Sequence, residues 1–119
     1  MPGGNMNIGS SLSALNAFTV RMNVTASNVA NVVTDGFKSS SVVMESGPGQ
    51  TVGANVVTDN SPGPMIPDQS GADGMQELSN VNMVKEMTQM IITRRGYDAN
   101  LKAIESNLEM QGNLIDMIA

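Results

Sequence analysis

One apolar repeat near the end of the chain restricts what it can fold into. With Met87 at position a of a heptad, the a positions are Met87, Arg94, Leu101, Leu108 and Ile115, and the d positions are Met83, Met90, Tyr97, Ile104 and Ile118, with Gln111 the one polar residue at d. Val84 and Ile91 widen the stripe at e, and Lys85, Glu86, Lys102, Glu105 and Glu109 fall mostly on other faces. Apolar residues sustained at 3-4 spacing, with no proline among them, predict a continuous helix from Ser79 to Ile118. At 1.5 Å per residue, ~39 residues make a rod of roughly 58 Å. A rod of that length needs a partner along it; an ordinary amphipathic core helix is the blander reading.

A second, weaker repeat lies near the other end. Ile8, Leu15, Met22 and Val29 recur at every seventh position, and Leu12, Phe18 and Ala26 broaden the stripe. Capped by Ser10 or Ser11, this predicts a helix to about Asn31 after a loose, Gly- and Asn-rich start over residues 1–7. Asn, Ser, Thr and Val are common in it, so packing rather than propensity must hold it. At about 33 Å it would cover only about half of the longer helix. Thr34-Asp35-Gly36 reads as a turn, with Gly36 free to take a positive φ. Beyond it, Val42–Glu45 and Thr51–Thr58 flank Ser46-Gly47-Pro48-Gly49-Gln50, which predicts a β-hairpin, and Pro67–Gly74 reads as loop. A lone hairpin is marginal in water and must lie on something. The expected fold is mainly α: an antiparallel, coiled-coil-like pair of terminal helices around a short hairpin and loop insert. It forms a single domain in three parts, residues 1–38, 39–76 and 77–119.

The same residues exclude much chemistry. The chain has no Cys and no His, so disulfides, thiolate metal sites and the commonest general base are absent. Asp59, Asp68 and Asp73 sit in turns without calcium-loop spacing, and Ser39-Ser40-Ser41 has no base to activate it. Gly47-x-Gly49 lacks the third glycine and the following helix of a phosphate loop. A net charge of −5, with six scattered cations, offers no basic face for nucleic acid. No apolar run approaches a bilayer span, and the first ten residues do not form a cleavable secretory signal. The expectation is no enzyme, catalytic residue, metal, cofactor or small-molecule substrate. Two uneven helices and eleven adaptable methionines indicate instead a self-associating helical protein, or else a soluble helical binding or adaptor module.

Two stretches narrow this further. Ala26-Ser27-Asn28-Val29-Ala30-Asn31, followed by Thr34-Asp35-Gly36-Phe37-Lys38, is similar to the A-N-N-I-A-N-x-x-T-x-G-[FY]-K pattern of the bacterial flagellar rod and hook axial proteins. Glu77 to Ile104 resembles the closing motif of the same family, through Ser79-Asn80-Val81, Glu86-Met87, Arg95, Tyr97 and Ala99-Asn100. Ser27 replaces the first Asn of a pair, Arg94 stands where Gln is usual, and Gly96 where Ala is more common.

The resemblance implies a structural subunit of the flagellar basal-body rod, closer to the small proximal-rod members than to the hook protein. It implies terminal helices that pack into the axial tube and partners that are copies of itself and other axial proteins. It also implies a location in the periplasmic rod, reached through the flagellar type III export apparatus without a cleaved signal. The residues expected at the assembly interface or in its motifs are Leu15, Met22, Asn28, Val29, Asn31, Gly36, Phe37, Asn80, Met87, Met90, Arg95, Tyr97, Asn100, Leu101, Ile104, Leu108 and Ile115. The bare residues allow Asn28 and Asn31 to bond loop backbone, a neighbour or the helix end. Ser79 or Asn80 could cap the long helix, and Arg94 could reach out to solvent or pair with a carboxylate such as Asp98 or a Glu in a partner.

Overall fold

The computed structural model describes the backbone of residues 3–68 and 74–118 and the side chains of 9–68 and 74–114. Two helices dominate: α1, Gly3–Ala30, and α2, Met83–Ile118. They run antiparallel, since Asn28 of α1 bonds Glu86 of α2 while the Phe18 ring, ten residues back, lies over Gly96, ten residues on. Carried onward, that register sets the start of α1 level with about residue 111 of α2. Two expectations change here. Residues 3–7 are helical, not loose, so α1 runs beside most of α2 instead of half of it. The long helix begins at Met83, because Asn82, not Ser79 or Asn80, caps it: its Oδ1 accepts the Lys85 N–H at 3.3 Å.

Strands β1 (Ser40–Ser46) and β2 (Val52–Thr58) form the predicted antiparallel hairpin, with Val42 opposite Val56 and Met44 opposite Ala54. Gly49, at φ 70°, turns the chain between them. The hairpin lies along α1, and four bonds from three side chains of that helix fix it. The Ser13 hydroxyl accepts the Val52 N–H at 3.0 Å, Arg21 donates to the Val42 carbonyl at 3.3 Å, and Asn28 bonds both backbone groups of Ser40. Val42 is thereby buried, while Val43 and Val57, on the other face, are exposed. A second hairpin, β3 (Met65–Pro67) with β4 (Met75–Glu77), was not expected; it flanks the expected Pro67–Gly74 loop, of which residues 69–73 lie outside the described residues.

The molecule is long and thin, 80 × 24 × 15 Å. Among the described residues the buried apolar side chains are Ala17 and Val42, whereas Ser11, Thr25, Asn28, Ser79, Glu86 and Thr93 are buried polar groups. No helix among them is long and apolar enough to cross a membrane.

Candidate assembly interface

Where the two helices meet the hairpins, side-chain amides and carboxylates take the place of a hydrophobic core. Asn28, in the last turn of α1, is 1% exposed. Its amide donates to the Ser40 carbonyl at 2.7 Å and to Glu86 Oε1 at 2.8 Å, and its oxygen accepts the Ser40 N–H at 3.0 Å. One side chain thus ties α1 to β1 and to α2. Asn80 does the same for the loops. It accepts the Ser39 N–H at 2.7 Å and donates to the carbonyls of Asp59 and Ser61, both at 2.9 Å, while its own N–H bonds the Phe37 carbonyl.

Gly36, at φ 71°, turns the chain so that its N–H reaches the Glu77 carbonyl at 2.9 Å. The Glu77 carboxylate pairs with Lys38 and accepts the Gly63 N–H at 3.0 Å, and these bonds hold it below the usual glutamate range. Asp59 is likewise held low by its bond from Ser61. Gly63 has no room for a side chain, since a Cβ there would meet the Leu78 carbonyl oxygen at 2.1 Å.

Along α2 the face turned to α1 carries Glu86, Thr93, Gly96, Tyr97, Asn100 and Ile104, all buried or half-buried. Tyr97 and Ile104 of the apolar heptad stripe thus lie on the covered face, whereas its other large apolar side chains among the described residues lie to one side and stay open. Val84 is 75% exposed, Met87 57%, Ile91 56% and Leu108 56%, and Met83, Met90 and Leu101 are exposed as well. The expected uncovered end of the long helix is therefore an uncovered flank.

These features sit on a chain with known relatives. Residues 8–38 match the family described as flagella basal body rod protein, and residues 72–117 match the C-terminal region described for the flagellar basal body rod FlgEFG proteins. The chain is also 33% identical, over 110 aligned residues, to the flagellar basal-body rod protein FlgC of Salmonella typhimurium, covering 79% of this chain and 82% of that protein. The Salmonella typhi protein of the same name matches equally. The chain belongs to the flagellar basal-body rod protein family. It is a FlgC-like structural subunit of the rod, not an enzyme, and its place is the basal body.

In this rod protein the two family motifs meet in space at one end of the helix pair: Asn28, Gly36, Phe37 and Lys38 from the first, and Glu77, Asn80 and Glu86 from the second. The other expected residues divide by position. Leu15, Met22, Val29, Asn31, Phe37, Tyr97, Asn100 and Ile104 are half-buried. Gly36, Met87, Met90, Arg95, Leu101 and Leu108 are exposed, as is Arg94, while the Ile115 side chain lies outside the described residues. Asn31 serves the helix end, donating to the Ser27 carbonyl and accepting from Thr34.

Sequence reasoning missed Glu86 as an interior partner, because a carboxylate beside an apolar stripe reads as solvated. A signal was present. Glu86, Thr93, Asn100 and Asn107 recur at every seventh position, a polar stripe in step with the apolar one.

Proposed function

We propose that this subunit enters the rod by burying the open flank of α2 against neighbouring copies and other axial proteins. The observation that carries the reading is the exposed row Val84, Met87, Ile91, Leu101 and Leu108 on a helix whose inward face is largely polar. An exposed apolar row of that length, interrupted by Arg94 between Ile91 and Leu101, marks a contact surface. Asn28, Asn80 and the loop bonds around Gly36 set the angle at which the helix pair and hairpins are presented, so the motif residues act by positioning while the flank makes contact.

Leu108→Asp tests this. The residue is exposed, so the variant is expected to stay helical by circular dichroism. A carboxylate forced into a dry seam is heavily penalised, so complementation of a deletion strain should fail and basal bodies should lack a complete rod. Normal rods would refute a seam at Leu108, and an unfolded monomer would place the residue in the subunit's own core. Delivery through the flagellar type III apparatus, read from the segment up to Lys38, completes the proposal. A reporter fused to residues 1–38 should be secreted only when that apparatus is intact, and equal secretion without it counts against the idea.

A further inference from the structure

A groove of about 270 Å3 opens between the helices, walled by Phe18, Met22 and Tyr97, with Asn23 and Arg94 also lining it. Thr93 lines it too; its side chain is 1% exposed and its hydroxyl has no hydrogen-bond partner among the described residues. A buried hydroxyl left unmatched costs stability unless something supplies the bond. Arg94 is exposed, with no carboxylate partner among the described residues, and Arg95 beside it doubles the positive charge. The groove is therefore apolar inside, cationic at its edge and holds one unused donor. It suits an apolar side chain with a carboxylate next to it.

The chain contains such a segment. After Lys102 there is no cation, and Glu105, Glu109 and Asp116 make the end of α2 acidic. Glu105 and Leu108 are both exposed and stand three residues apart, so they project from one side of the helix. Within one molecule Arg94 and Glu105 are eleven residues apart on a rigid helix, about 16 Å, too far to pair. We propose that the groove of one copy receives the Glu105–Leu108 face of a second copy. Leu108 fills the apolar floor, Glu105 pairs with Arg94, and the flexible Met22 side chain shifts to expose the Thr93 hydroxyl to the incoming carboxylate. This rests on the rod-assembly reading and names the contact between identical subunits within it.

The test is self-association of the full chain by sedimentation equilibrium, at low and high salt. The natural chain is expected to associate. Arg94→Glu and Glu105→Arg are each expected to weaken association by about tenfold or more, as loss of a close interfacial charge pair does. The double variant carrying both changes is expected to recover it, since the swapped charges again meet across copies. Thr93→Val keeps the shape of the groove and is expected to associate several-fold more weakly without a fall in Tm. A monomeric natural chain, a double variant no better than the single ones, or association of Arg94→Glu or Thr93→Val at natural strength would each overturn the proposal. Arg94→Glu is also tested for motility: normal rods from a variant that no longer self-associates would overturn this contact and leave the rod role standing.

Discussion

Asn28, itself buried, brings one primary amide into contact with a carbonyl, a backbone N–H and a buried carboxylate oxygen. Replacing it with Leu keeps the volume but leaves the Glu86 carboxylate and the Ser40 N–H without those bonds. Unfolding in urea is expected to show a loss of about 2–3 kcal/mol, the order set by stranded buried polar groups. Glu77 gives a pH dependence of known sign. Its carboxyl is held below the ordinary 4.5 by Lys38 and by the Gly63 N–H. Its bonds therefore stabilise the fold fully above that ordinary value, and the contribution fades as pH falls through the lowered one. Tm should drop on acidification through this range, and Glu77→Gln should show a shallower drop. Asn28 and Gly36 could be picked out from the sequence because each is a residue type with a restricted job. The Lys38–Glu77 pair could not, because its members are 39 residues apart and only the fold brings them together.

The helices were legible as elements because a heptad repeat reports its own period. Which flank would be covered was not, since apolar periodicity ranks faces by hydrophobicity and does not distinguish an internal partner from an external one. Here the internal partner took the polar face and small residues. Gly96 shows why: a Cβ there would sit 2.6 Å from the Phe18 ring. Gly96→Val is expected to destabilise the helix pair by about 1–2 kcal/mol, the strain outweighing the modest gain in helix propensity. Adding Phe18→Ala should return part of the loss, which thermal melts of the single and double variants would reveal. The second hairpin was missed because each strand has only three residues and one contains Pro67, too little for alternation to register.

At the scale of the whole molecule, a shape 80 Å long and 15 Å thin has little room for an interior. Among the described residues the interior consists largely of hydroxyl, amide and carboxylate groups, and the larger apolar side chains other than Val42 are half-buried or exposed. This sets the heat capacity. Exposing apolar surface raises it and exposing polar surface lowers it, and compact domains gain about 12–15 cal/mol/K per residue on unfolding. Calorimetry of the isolated subunit should give a clearly smaller value, with a broad, low-enthalpy transition. The missing hydrophobic signature belongs to polymerisation: titrating subunits into growing assemblies should show a large negative heat-capacity change, so that assembly, more than folding, carries the temperature sensitivity of this chain.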